Sequence, residues 1–152
     1  MSTNIFYLAL SAMLAASSVS AAEKRVKMES LPAAVQKTIQ EQSQGATIRG
    51  LSQEIEDGKT FYEAELKVNG HGKDVLIDAT GSVVEIEEEV ALASVPAAVK
   101  EAIQKHAAKG QIKLVEAVSK NGSVIAYEAK IKTAGKTSEV RLNPDGSPAK
   151  EP

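Results

Sequence analysis

The side chains that could do chemistry are few and poorly placed for it. The two histidines stand apart, His71 in the glycine-rich stretch Asn69-Gly70-His71-Gly72 and His106 near the end of an amphipathic segment. They are expected to be a solvated turn residue and a cation at a helix C-terminus, not a ligand pair. Cysteine is absent, which removes disulfides, thiolate metal sites and thiol nucleophiles. No serine stands in a G-x-S-x-G context and no glycine-rich phosphate loop occurs, so no catalytic residue, enzyme activity or cofactor is expected.

Two acidic groupings remain. Glu85, Glu87, Glu88 and Glu89 lack the interspersed glycines that let a calcium loop wrap its ion, and they fall at the end of a strand pattern. They are expected to form a solvated edge that discourages sheet-to-sheet pairing. A periplasmic small-ligand or divalent-cation binding protein built on this segment is the alternative function. Asn143-Pro144-Asp145-Gly146-Ser147 reads as a turn, and no metal site is expected.

The elements that would position these residues begin with an apolar run from Ile5 to Ala16. Small residues from Ser17 to Ala22 come next, then Glu23-Lys24-Arg25. This is the layout of a signal peptide over residues 1–22, too short for a stable membrane anchor, and it implies a periplasmic or secreted protein. The formal net charge of −2 supplies no basic field, so nucleic acid is not an expected partner.

Ser30-Leu31-Pro32-Ala33-Ala34-Val35 returns as Ser94-Val95-Pro96-Ala97-Ala98-Val99, and the match runs on through Tyr62-Glu63-Ala64 with Tyr127-Glu128-Ala129 to Gly81-Ser82 with Gly146-Ser147. Eight of the twenty-one residues from 62 to 82 are identical to their counterparts, which points to an internal repeat. Each copy opens on an expected helix capped by Ser30 or Ser94. Paired turn signals come after it: Asp57-Gly58 with Asn121-Gly122, Gly70 with Gly135, Thr80-Gly81 with Asp145-Gly146. The expectation is an α+β fold, a tandem duplication of a helix followed by a four-stranded antiparallel meander, with the helices packed on one sheet face. Pro144 and Pro148 should shorten or remove the last strand of the second copy.

Alternation assigns the faces. Tyr62, Ala64, Leu66, Val75 and Ile77 share the inward side, as do Tyr127, Ala129, Ile131, Val140 and Leu142, which gives both tyrosines core roles. Glu63, Glu65, Lys67, Asp74, Leu76, Glu128, Lys130, Lys132 and Arg141 point outward. Leu76 has no place on a purely solvated face, so this outer sheet face is the expected binding surface.

The Leu/Val-Pro-Ala-Ala-Val helix opening, the Tyr-Glu-Ala strand and the Asp74-Val75-Leu76-Ile77-Asp78-Ala79-Thr80-Gly81 ending resemble the PepSY-like, β-lactamase-inhibitor-like domains of exported bacterial proteins. The resemblance implies tandem units at 23–90 and 91–152 and a non-enzymatic protein-binding role, such as that of an inhibitor or regulator of an envelope or secreted enzyme. Its implied partner is another exported protein.

Overall fold

The computed structural model describes residues 24–150; the segment read as a signal peptide lies outside the described residues. The elements run β1 (Lys24–Arg25), α1 (Ala33–Gln42), β2 (Ala46–Glu56), β3 (Lys59–Val68), β4 (His71–Asp78), β5 (Val83–Glu89), α2 (Ala97–Ala107), β6 (Gln111–Lys120), β7 (Ser123–Thr133) and β8 (Lys136–Leu142). All eight strands pair antiparallel, in sequence order, in one sheet.

That sheet corrects the expected fold class. The chain forms one mainly β, eight-stranded sheet with two short helices, not two helix-plus-four-strand meanders. The reason lies at β5. A meander would end there on an open edge, but α2 returns the chain so that β6 takes the edge, pairing Ile86 with Ser119 and Glu89 with Glu116. Glu85 to Glu89 therefore lie in the interior of the sheet, and their reading as a solvated edge is wrong. At the other end Asn143-Pro144-Asp145-Gly146 turns the chain, and past β8 the pairing reduces to a single bridge between Leu142 and Pro148. Proline cannot donate a ladder hydrogen bond, so no fourth strand forms there.

Four hairpin turns are set by local chemistry. Asp57-Gly58, Asn69-Gly70, Asn121-Gly122 and Ala134-Gly135 each place two successive residues at positive φ, between 49° and 90°. This is the primed-turn geometry that matches strand twist. The helices start later than serine caps would place them. Pro32 and Pro96 occupy the N-cap positions in extended conformation, and neither makes a side-chain cap. Ser30 and Ser94 sit two residues too early to reach the first helical N–H groups. Their hydroxyls instead donate to the carbonyls of Lys27 and Ala91 in the preceding turns.

Both helices cover one face of the sheet. Val35 and Ile39 of α1 meet Leu31, Ala64, Leu66, Val75 and Ile77, with Tyr62 packed against the group. Val99 and Ile103 of α2 meet Val95, Val115, Ala129 and Leu142, with Tyr127 alongside. Both tyrosines thus have the core positions that alternation assigns them. Burying a side chain such as Ile39 or Ile103 contributes about 2–3 kcal/mol, and both are fully buried.

The two halves of the chain share one docking device. Gly81 and Gly146 approach so closely that a Cβ would lie 2.8 Å from the Ala34 carbonyl oxygen and 2.6 Å from that of Ala98. Thr38 Oγ1 donates to the Gly81 carbonyl at 2.6 Å, tying α1 to the β4–β5 turn. That turn is held by Asp78, whose Oδ1 accepts from the backbone N–H groups of Thr80 and Ser82.

Candidate functional site

The face opposite the helices is laid out by the registers. Ser52, Glu63, Leu76 and Glu85 lie in one cross-strand row, and Glu65, Asp74 and Glu87 in the next. Beyond the β5–β6 seam the outward rows continue through Glu116, Glu128 and Arg141, and through Lys130 and Glu139. All nine residues expected on the outer face lie there.

A concave hollow of about 550 Å3 opens on this face. Five of the nine line it: Glu63, Asp74, Leu76, Glu128 and Arg141. Glu65 is drawn aside by Arg25 at 2.6 Å, while Lys67 and Lys132 are exposed and outside the hollow. Lys130 bridges Glu116 at 3.4 Å and Glu139 at 4.0 Å.

The hollow has further lining residues, of which the sequence reading placed Glu85 and Glu87 at a solvated edge and did not include the rest in the binding surface. Phe61 and Val84 add apolar surface beside Leu76, and Glu54, Glu56, Glu85, Glu87, Lys120 and Glu139 add charge. The period-2 spacing of 54 and 56, and of 85 and 87, carried their signal; what was missing was the neighbour that turns a strand end into a trough wall. Val118, fully buried, pairs with Glu87 and Ala126 beside the hollow.

The charges on the floor are not all available to a partner. Arg141 bonds Glu128 directly and lies 3.6 Å from Glu85, which also holds Lys120 at 2.9 Å. Arg141, Glu85 and Glu128 have side chains at most 9 % exposed. Arg141 and Glu128 therefore act as an internal clamp across β5, β7 and β8 and do not reach outward as expected. Desolvating ions this far is costly unless each is paired, and these are.

Asp74 and Glu87 are the exceptions. Burial, then Glu116 and Glu65, push the Asp74 carboxyl up to about 6. Burial, then Glu128, Glu116 and Glu85, push Glu87 up to about 8. Burial and the neighbouring Glu139 also raise Glu128, against the pull of Arg141. Lys130 is raised by Glu116 and Glu139, which outweigh its own burial. Low-dielectric surroundings and like charges both favour the neutral acid.

Both histidines stay outside the hollow. His71 is exposed, with Nδ1 4.0 Å from Glu89, and His106 is exposed in the last turn of α2. The segment 85–89 is an extended strand whose alternate residues leave on opposite faces, so Glu85 and Glu87 enter the hollow and Glu87 meets Asp74 and Glu116 there. Asp145 accepts from the Ser147 N–H and hydroxyl, a turn lock that mirrors Asp78. No helix among the described residues is long and apolar enough to cross a membrane.

No family model matches the chain, and no curated protein matches it in sequence. Solved structures do match in fold. A protein from Bacteroides eggerthii named for a periplasmic location is 19% identical with a TM-score of 0.63, covering 79% of this chain and 86% of that one. A DUF2874 family protein from Bacteroides ovatus is 22% identical with a TM-score of 0.59, covering 79% and 85%. A BLIP-like protein from Bacteroides fragilis is 18% identical with a TM-score of 0.56, covering 80% and 85%. At these identities the likeness is one of backbone architecture, and the eight-stranded sheet with its two helices has the fold of DUF2874 and BLIP-like proteins.

Proposed function

We propose that this chain is an exported, non-enzymatic protein of the periplasm, PepSY-like in family, whose outer sheet face binds a cationic segment of another exported protein. The observation that carries this reading is the hollow itself, which sets eight carboxyl groups against two cations over an apolar floor. Both cations, Lys120 and Arg141, are engaged within the protein. Its volume of about 550 Å3 falls in the range of sites that enclose a ligand, and here suits one or two long side chains. A lysine or arginine would lay its aliphatic stem on Leu76, Phe61 and Val84 and present its charge to the acidic wall.

The names of the Bacteroides neighbours support the location and the class: one is periplasmic and one is BLIP-like. A role as inhibitor or regulator of an envelope or secreted enzyme is the finer form of this proposal.

The test is capture from an envelope extract by immobilised protein, compared across variants. Glu56→Lys at the rim and Leu76→Thr on the floor should each reduce recovery of the same partner at least tenfold, and added salt should release it. Lys37→Glu on the helix face should not. Equal recovery by all four proteins would remove the outer face as the site.

A further inference from the structure

The middle of the outer face brings carboxyls from three adjacent strands together. One carboxylate oxygen from each of Asp74, Glu87 and Glu116 lies within 4.8 Å of the other two. They span β4, β5 and β6, so the group straddles the seam where the chain returns from α2. That seam is short: β5 and β6 share four residue pairs, against ten in the β2–β3 ladder.

Among the described residues one cation reaches the group. Lys130 of β7 touches Glu116 at 3.4 Å and is shared with Glu139 of β8. The other charges facing it are already committed. From β3, Glu65 is bonded to Arg25; on β5, Glu85 is held by Lys120 of β6 and Arg141 of β8. Glu128 of β7 is bonded to the same Arg141, and Glu89 at the end of β5 faces His71. The helices lie on the opposite face and put no charge here.

Three carboxylates against one shared ammonium, in half-buried to buried positions, cannot all ionise cheaply. A carboxyl hydrogen bonded to a neighbouring carboxylate is the low-energy alternative, and the proton then belongs to the group. The raised Asp74 and Glu87 carboxyls agree with this geometry.

We propose that Asp74, Glu87 and Glu116 share a proton that keeps the β5–β6 seam closed, and that losing it to solvent loosens the seam, a pH-sensitive latch between the two halves of the sheet. With the proton in place one carboxyl donates to a neighbouring carboxylate across the strands. Without it three negative charges repel within 4.8 Å, and the four-pair β5–β6 ladder is the shorter of the two that the group straddles. The latch is a property of the free protein and does not rest on the binding role above.

The test is a carboxyl-carbon NMR titration of the purified protein from about pH 4 to about pH 10, which spans ordinary carboxyls and the raised ones. Amide hydrogen exchange over residues 86–89 and 116–119 is followed in parallel. The Asp74 and Glu87 carboxyl carbons should report one common step above about pH 6. After correction for intrinsic base catalysis, seam exchange should rise about tenfold relative to the β2–β3 amides across that step. Glu87→Gln should abolish both changes; if that variant does not fold, Asp74→Asn carries the same comparison. Independent Asp74 and Glu87 steps near the ordinary carboxyl range, or seam amides that track β2–β3, would overturn the latch. So would a step that moves on adding calcium chloride, because an ion would then hold the group together.

Discussion

Asp74 and Glu87 face each other across the β4–β5 pair on the outer side of the sheet, and among the described residues no cation lies within ion-pairing distance of either. Both carboxyls are raised, to about 6 and about 8. A raised acid binds its proton more tightly in the folded than in the unfolded chain. Its contribution to stability is full below the unfolded value and is lost as pH climbs to the folded one. Unfolding in urea at pH 9 should show stability lower than at pH 5 by about 1–2 kcal/mol, a figure reduced because both groups remain partly solvated. Glu87→Gln should remove most of that difference. Equal stability at the two pH values would contradict the assigned shifts.

The turn aspartates work in the opposite sense. Hydrogen bonds from Thr80 and Ser82 hold Asp78 below its ordinary value, and those from Ser147 do the same for Asp145. Their contribution is present above the unfolded carboxyl range and disappears as pH falls through the lowered values. With Asp78→Asn and Asp145→Asn combined, the acid limb of a thermal-midpoint profile should flatten below about pH 4 while the alkaline limb keeps its slope.

Arg141 should be the most sensitive charged position. Its guanidinium pairs Glu85 and Glu128, both nearly buried. Arg141→Ala should therefore cost about 3–5 kcal/mol in a urea titration, since two carboxylates are left without their cation. Adding Glu128→Gln should restore part of the loss. An unchanged loss in the double variant would mean that packing of the arginine stem, not its charge, matters.

Gly81 and Gly146 carry helix packing on a missing side chain. Both have positive φ, 88° and 82°, and both would press a Cβ into the backbone of α1 or α2. Gly81→Ala and Gly146→Ala should each cost at least about 2 kcal/mol, above the roughly 1 kcal/mol expected of Gly58→Ala, where φ is also positive but the space is open. Chemical denaturation of the three variants checks the ranking.

The two β-turns after the Tyr-Glu-Ala strands differ at one residue. Asn69 and Ala134 both adopt left-handed φ, 51° and 50°, a conformation that costs alanine more than asparagine. Ala134→Asn should raise stability by about 0.5–1 kcal/mol. Asn69→Ala should lower it by a similar amount, both measured by thermal unfolding.

What was legible in the sequence was what short stretches decide for themselves. The Asx-Gly turns, the strand alternation that sends Tyr62 and Val75 inward and Glu63 and Asp74 outward, and the prolines that stop a fourth strand after β8 all act within a few residues. The glycines and helix openings matched between the two halves of the chain are local signals of the same kind. The expected serine caps failed over two residues, because the extended prolines took the cap positions.

The tertiary structure alone decided where β5 goes and what its glutamates become. Alternation fixes which side of a strand a residue faces, but it does not say whether the strand has a neighbour. When β6 closes on β5, Glu85, Glu116 and Val118 lose water, and Asp74 and Glu87 are pressed against Glu116 into a carboxyl group with one shared lysine. Burial and charge coupling depend on chain segments brought together across a helix. That is why one eight-stranded sheet replaced two expected meanders, and why the acidic run became the middle of the site instead of its edge.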